Sequence, residues 1–386
     1  MLELGIICVV SLAAWVYLVA GHGGFWRTNQ RLPGTAGQIS DPETWPGVVA
    51  VVPARNEADV LPGTLPKLLA QDYPGDFRVI LVNDNSDDGT PDVAARIGEQ
   101  SGKNALTVLD GKPRPEGWAG KVWAMNQGFG ELGDDARYVL FTDADIAWTP
   151  RALKRLVQAA EADNRALLSQ MVLLRADTAW EKHIVPAFVY FFAQLYPFKR
   201  ASDPKSKTAA GAGGCQLVRR EALRDAGGLE PVKGALIDDV ALATLLKRAG
   251  HRIWLGLTTE IVSARLYPKL EDLWNMVARS AYYQLNYNPF LLAGTVVGLF
   301  GIYVAPPVGT IAGLITGSPL AAAAGLAAWA LMTASYVPML RLYRLFTGRA
   351  LALPLIALMY TAMTVDSARR HYAGRAVAWR DITKSQ

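Results

Sequence analysis

Residues 4 to 21, LGIICVVSLAAWVYLVAG, carry no charge, and a helix needs roughly 20 predominantly apolar residues to cross the hydrocarbon of a bilayer. Two further long uncharged stretches, 290 to 316 and 319 to 340, lie near the other end, and a shorter one, 350 to 365, contains Pro354. Backbone in lipid must satisfy its own polar groups, so such runs can fold as little other than helices. The first run has no basic leading region and no small-x-small cleavage site, and it reads as an anchor over 1 to 24 in preference to a cleaved signal peptide. The composition agrees. With 51% hydrophobic residues, 19% charged residues and a mean hydropathy of +0.15, disorder is excluded.

The net charge of +5 is modest, and its placement says more than its size. Arg27 and Arg31 follow the first run, Arg341, Arg344 and Arg349 follow the third, and Arg369, Arg370, Arg375, Arg380 and Lys384 crowd the end. Basic residues beside apolar runs mark the cytoplasmic side of a bilayer and contacts with anionic lipid, and no nucleic-acid-binding motif accompanies them. The expectation is a multi-pass protein of a bacterial-type inner (plasma) membrane, facing the cytoplasm with its polar middle and with its basic tail, 367 to 386. Two cysteines, Cys8 and Cys215, cannot build a disulfide framework, which agrees with a cytosolic face. The stretch 350 to 365 has Arg-rich flanks on both sides, so it reads as a re-entrant or interfacial helix, with an ordinary crossing as the alternative, inside a C-terminal membrane bundle over 290 to 366.

Between 45 and 262 short β-branched runs alternate with longer polar segments of helical period, the pattern of an α/β domain with a mostly parallel sheet and flanking helices. The expected strands are 47 to 52, 78 to 82, 106 to 109, 138 to 142 and 166 to 171. Ligands of such sheets sit beyond the carboxyl ends of the strands. Pro53-Ala54-Arg55-Asn56-Glu57 follows the first strand, Asn83-Asp84-Asn85-Ser86-Asp87-Asp88-Gly89-Thr90 the second, and Thr142-Asp143-Ala144-Asp145 the fourth. A lone Asp at a strand end is usually a cap or turn former, and Asp87-Asp88-Gly89-Thr90 is partly that. Asp143 and Asp145 are different, because like charges two residues apart repel unless a cation lies between them. Hard oxygen ligands at that spacing suit Mg²⁺ or Mn²⁺ completed by substrate phosphates.

These three motifs, in this order and spacing, resemble the inverting glycosyltransferases of family 2, which have the GT-A fold. The resemblance covers about residues 45 to 260. It implies that Pro53, Arg55 and Glu57 line a nucleotide pocket, that Asp84 contacts uracil, that Asp145 binds the metal, and that Asp143 faces the ribose or sugar. Gly117-Trp118-Ala119-Gly120-Lys121 opens a helix that continues to Asn126, and a cation there would meet a diphosphate at the positive helix end. Membrane members with lipid acceptors have a similar Gly-Lys-x-x-Ala-x-Asn run, which makes Lys121 and Asn126 candidates for diphosphate or sugar contact. The loop Gly211-Ala212-Gly213-Gly214-Cys215 is a plain tight turn or, by the resemblance, a wall against the donor sugar formed by Gly213 and Gly214.

Asp238 and Asp239 open a helical segment, where acidic residues suit the dipole in any protein. In the family an acidic pair stands here and its second member is the general base, which implies Asp239 as base and Asp238 as helper. Processive members carry Gln-x-x-Arg-Trp after the base; residues 275 to 284 read NMVARSAYYQ instead, which argues against a polysaccharide synthase with its own channel. Arg279 of that stretch remains a candidate diphosphate contact, and Trp379 and Arg380 in the tail a partial match to the Val-x-Trp-Lys-Gly-Arg ending of lipid-directed members. Residues 263 to 289 read as an interfacial amphipathic helix, with Leu266, Leu270, Leu273, Trp274 and Val277 on one face. The layout is most similar to the hopene-associated glycosyltransferases, implying transfer from a UDP-sugar to a hopanoid or related membrane lipid. A ceramide, diacylglycerol or polyprenyl-phosphate acceptor is the alternative within the same chemistry, and a catalytically silent membrane scaffold the alternative outside it.

Overall fold

The computed structural model describes residues 2–33, 39–102 and 105–375. Two compact units emerge, one formed by Asn29–Arg175 and Phe198–Leu266 and the other by Met1–Thr28, Ala176–Pro197 and Tyr267–Gln386.

The first unit is built on eight strands: β1 (Gly47–Ala54), β2 (Phe77–Asn83), β3 (Leu106–Asp110), β4 (Ala136–Phe141), β5 (Ile146–Trp148), β6 (Leu167–Leu173), β7 (Gln216–Arg219) and β8 (Ile253–Ser263). They form one sheet in the order β3-β2-β1-β4-β7-β6-β8-β5. The five strands expected from sequence are all present. The sheet is mixed: β3, β2, β1 and β4 run parallel and β6 parallel to β8, while β7 is antiparallel to β4 and β6, and β5 to β8. β1 carries Val48, Val49, Ala50, Val51 and Val52, all buried, because helices cover both faces and leave no solvated side to alternate toward. One face packs on the helices Leu61–Leu69 and Ala152–Ala162, the other on Gly120–Gly130 and Asp238–Arg248. Gly128 permits the second contact, since a Cβ there would lie 2.4 Å from Val51 Cγ1.

The second unit is helical. Leu2–Ala20, Pro289–Thr316, Pro319–Leu342 and Thr347–Tyr372 are long and apolar enough to cross a membrane, which associates the chain with a bilayer. Small residues let the backbones approach: a Cβ at Gly309 would lie 2.0 Å from Cys8 Sγ, and one at Gly325 2.7 Å from the Pro306 carbonyl. The segment Pro289–Thr316 is not a uniform helix, because Phe300–Val304 forms a π-helical turn ahead of Pro306 and Pro307. Pro306 has no N–H to offer the carbonyl of Ile302 four residues back. Trp15 Nε1 donates to that carbonyl instead, at 2.7 Å, so the break in the ladder leaves it paired.

Several sequence expectations are corrected here. The stretch 263 to 289 is not one helix: β8 occupies its start, Pro268 keeps the preceding residues extended, and two short helices follow, Leu270–Ala278 and Ala281–Gln284. Leu273 and Val277 are buried, whereas Leu266 lies outside the helix and is exposed. The aromatic helix Glu181–Leu195 interrupts the span 45 to 262 and belongs to the helical unit, where Tyr190 is fully buried and bonds Ser335 Oγ at 2.6 Å. The stretch 350 to 365 begins in a 3-10 turn, Thr347–Ala352, and continues into a longer helix, Leu353–Tyr372.

Candidate active site

Arg55, Glu57, Asp84, Asp143 and Asp145 belong to the sheet unit and lie at or just beyond the carboxyl ends of its strands. Ala54 ends β1 and accepts the Asp84 amide at 2.8 Å, which ties the turns after β1 and β2 together. Asn56 and Asn85 take left-handed backbone, a conformation asparagine tolerates. The Asn56 amide donates to Ser86 Oγ at 3.0 Å, the Glu57 amide to Thr90 Oγ1 at 2.8 Å and the Ala58 amide to Asp88 Oδ2 at 3.0 Å. Asp88 is therefore a loop fastener. Pro53 is buried on β1 past the last partner β1 finds on β4, where its missing N–H breaks no bond to that strand.

Asp84 is buried, and Arg55 approaches its Oδ2 at 3.8 Å. That oxygen has no hydrogen-bond partner among the described residues. Burial pushes the carboxyl up from its ordinary range, with Arg55 opposing.

A second cluster joins Glu57 and Asp145 through one guanidinium. Arg265, just beyond β8, donates from Nη2 to both Glu57 oxygens at 2.9 and 3.0 Å and from Nε to Asp145 Oδ2 at 2.7 Å. Burial raises the Asp145 carboxyl above its ordinary range, with Arg265 opposing. Nothing in the sequence marks Arg265: it stands 120 residues from Asp145, and only the β5/β8 pairing, Ile146 opposite Ser263, brings the two strand ends side by side.

The third cluster centres on Lys121, the second residue of the helix Gly120–Gly130. Its ammonium lies 2.8 Å from Asp143 Oδ1 and 3.1 Å from Asp238 Oδ2. Burial alone would lower its pKa, but Asp143 and Asp238 more than reverse that and hold it charged. Asp238 and Asp239 begin the helix Asp238–Arg248. Asp239 accepts the Gly213 amide at Oδ2 and the Val240 amide at Oδ1, both at 2.8 Å. Burial first, and then the neighbouring Asp238 charge, raise Asp239 to about 7, with Lys121 pulling it down. Carboxylates tuned into this range are suited to general base catalysis at neutral pH.

The glycine loop is fixed by a side chain just after β4 and one on β6. Thr142 Oγ1 donates to the Gly214 carbonyl at 2.8 Å, and Ser169 Oγ accepts the Ala212 amide and donates to the Cys215 carbonyl, both at 2.9 Å. A Cβ at Gly213 would lie 3.0 Å from Lys121 Nζ, 3.6 Å from Asp239 Oδ2 and 3.7 Å from Asp143 Oδ2, and one at Gly214 would press on Val172 at 2.9 Å. Gly213→Ala is expected to leave the melting temperature near wild type while displacing the ammonium, with a loss of roughly 10- to 100-fold in turnover; unchanged kinetics would remove Gly213 from the site. Cys215 is fully buried and its thiol pushed up by that burial, as suits a packing residue.

The structure thus brings Arg55, Glu57, Asp84, Lys121, Asp143, Asp145, Gly213, Gly214, Asp238 and Asp239 into one unit's rim, and Asn126 stands half-buried on the Lys121 helix. Arg279 is exposed at the end of Leu270–Ala278 in the helical unit. Trp379 and Arg380 lie outside the described residues. No group of three or more His, Cys, Asp or Glu with metal-holding geometry occurs among the described residues. Asp143 and Asp145 are a hard-oxygen pair that fits a divalent cation only if substrate phosphates supply most of the other ligands.

Comparison with known proteins points the same way. Residues 49–227 match the model of glycosyl transferase family 2. The chain is 26% identical over 234 residues to succinoglycan biosynthesis protein ExoA of Rhizobium meliloti, across 60% of this chain and 66% of that protein. It is 34% identical over 122 residues to the probable glycosyltransferase YdaM of Bacillus subtilis, 31% of this chain and 28% of that protein. It is also 31% identical over 116 residues to an undecaprenyl-phosphate 4-deoxy-4-formamido-L-arabinose transferase of Serratia proteamaculans, 30% of this chain and 33% of that protein. The chain therefore spans from about a quarter to two thirds of the length of these relatives. Among solved structures, the mannosyltransferase PcManGT from Pyrobaculum calidifontis, in complex with GDP-Man and Mn²⁺, aligns with 96% of this chain and 99% of its own at a TM-score of 0.58 and 23% identity, which shows a shared fold. The strand-end motifs, the mixed sheet and these matches converge: residues 49–227 are similar to glycosyl transferase family 2, and the chain has a GT-A-like fold.

Proposed function

We propose that this domain is a metal-dependent inverting glycosyltransferase that moves a sugar from a UDP-sugar to a membrane lipid, a hopanoid or related isoprenoid, with the sheet unit on the cytoplasmic face. The observation that carries the reading is Asp239, a half-buried carboxylate raised to about 7 and aimed by the Gly213 amide beside Lys121. Direct displacement at an anomeric carbon needs a base for the acceptor hydroxyl and a positive environment for the departing diphosphate. In this reading Asp239 takes the hydroxyl proton, Lys121 holds the diphosphate, and Asp238 keeps Lys121 in place. The buried Asp84 Oδ2, paired with Arg55 at 3.8 Å but without a hydrogen-bond partner among the described residues, supports base recognition, since it can accept a ring N–H such as that of uracil.

Asp145 would hold Mg²⁺ or Mn²⁺, which supplies charge neutralisation for the diphosphate, with Asp143 toward the ribose or sugar. Six carboxylates, Glu57, Asp84, Asp143, Asp145, Asp238 and Asp239, meet the side-chain cations Arg55, Lys121 and Arg265, with Arg114 also acting on Asp84, so the rim still has negative charge to spare for a cation. Asp145→Asn is expected to weaken metal-dependent donor binding roughly 100-fold, measured by titrating the UDP-sugar with and without Mn²⁺. An unaltered metal dependence would assign the cation elsewhere. A polyprenyl-phosphate acceptor is the second reading, favoured by the Serratia relative that the chain resembles.

The test is to incubate the full-length protein with native lipid extract, Mg²⁺ or Mn²⁺ and a panel of nucleotide sugars, following nucleotide release and lipid mass. A metal-dependent mass gain of one hexose on a lipid is the expected result. Nucleotide release without a lipid product would refute the acceptor half, and silence with every donor would favour the scaffold.

A further inference from the structure

We propose that Arg265 is an exchangeable partner of the metal carboxylate: its guanidinium holds Asp145 in the unliganded protein and passes to the donor diphosphate when donor and cation bind. The inference rests on the metal reading given above and extends it to a residue outside the strand-end motifs. Asp145 stands immediately before β5, and Arg265 two residues after the end of β8. The Ala264 amide donates to the Asp145 carbonyl at 2.7 Å, and the Arg265 amide to Ser263 Oγ at 3.3 Å. Both backbones are therefore tied where the strands end, and any exchange of partners must be made by the Arg265 side chain.

The two carboxylates on this guanidinium are unequal. Nη2 donates to both Glu57 oxygens, whereas Nε serves Asp145 Oδ2. The Glu57 side chain is 4% exposed, that of Asp145 13% and that of Arg265 27%. Glu57 lies deepest, where a charge without its counter-charge is most costly, so it is the fixed partner. Asp145 is nearer solvent, and because it is served by a different nitrogen the guanidinium can leave it while Nη2 stays on Glu57. Two positive groups at contact distance on one carboxylate repel each other, so a divalent cation on Asp145 favours that departure. A diphosphate then offers the arginine fork oxygens that it matches in charge and geometry. Apparent affinity falls with the fraction of protein that is competent to bind, so the unliganded protein binds the cation weakly. Cation and donor each strengthen the other by the same factor.

Mn²⁺ binding to the full-length protein in detergent, read from loss of the free-ion electron paramagnetic resonance signal, tests this without turnover. Arg265→Gln is expected to bind Mn²⁺ alone roughly tenfold or more tightly than wild type, and to bind UDP in the presence of Mn²⁺ roughly tenfold or more weakly. That substitution leaves Glu57 without its cation, so the double variant Glu57→Gln/Arg265→Gln, neutral at both positions, is measured beside it, with thermal melting reporting that it folds. It should show the same gain for Mn²⁺, and adding Asp145→Asn should erase the gain. Equal or weaker Mn²⁺ affinity in a folded variant would mean that Arg265 supports the metal carboxylate instead of competing for it; that overturns the inference and leaves the metal assignment standing. UDP affinity unmoved by the substitution overturns the passage to the diphosphate. A gain for Mn²⁺ that survives Asp145→Asn overturns the inference and the metal assignment together.

Discussion

Asp239→Asn is expected to lower the rate of sugar transfer by about 10²- to 10⁴-fold, the range general base catalysis contributes, while nucleotide-sugar affinity stays near wild type. Asparagine keeps the shape and can still accept the Gly213 amide through its carbonyl oxygen, but it cannot take a proton from the acceptor. The wild-type pH profile should follow from the same residue. Burial and the Asp238 charge raise Asp239 to about 7, and only the ionised form is a base. Transfer therefore rises tenfold per pH unit below about 7 and levels off above it, and the Asn variant loses this limb. Turnover of Asp239→Asn within a few-fold of wild type would show that another group takes the proton.

Lys121→Met should act on stability and on the base together. The ammonium is the cation nearest Asp143, Asp238 and Gly213. Removing one partner of a fully buried ion pair costs about 3–5 kcal/mol, and because Lys121 and Asp238 are each 13% exposed and Asp143 35%, solvent screening reduces this to roughly 1–3 kcal/mol. For a unit of this size that corresponds to a melting temperature lower by roughly 2–12 °C. Lys121 also draws the Asp239 pKa downward, so its loss should move the rising limb of the pH profile to higher pH as well as reducing turnover. A purely structural lysine would lower the melting temperature and leave that limb where it is. Lys121→Arg, which keeps the charge with a different geometry, should recover stability more fully than transfer.

The site was legible in sequence wherever its chemistry is local. Asp143 and Asp145 lie two residues apart after an apolar strand, and Lys121 stands one residue inside a helix behind two glycines. Both patterns result from backbone constraints that operate over a few residues. Arg265 was not legible, because a solitary arginine after a strand is ordinary until β8 pairs with β5 and sets it against Asp145 and Glu57. β7 escaped notice for a similar reason. Gln216-Leu217-Val218-Arg219 is only four residues long, too short for alternation to announce a strand, and it exists because β4 and β6 offer it partners on both sides. The stretch 263 to 289 shows the opposite error: a helical period was present, but Pro268 and the partners available to the chain decided how much of it became helix.

The sequence by itself determined the apolar helices, the α/β order of the middle and the carboxylates at its strand ends, since hydrophobic period and turn chemistry are written in neighbouring residues. Only the tertiary structure decided that Glu181–Leu195 joins the helical unit, that Lys121 sits among Asp143, Asp238 and Asp239, and that Arg265 joins Glu57 to Asp145. Those choices depend on which distant surfaces meet and on burial strengthening the attraction between charges, and neither is a property of any short segment.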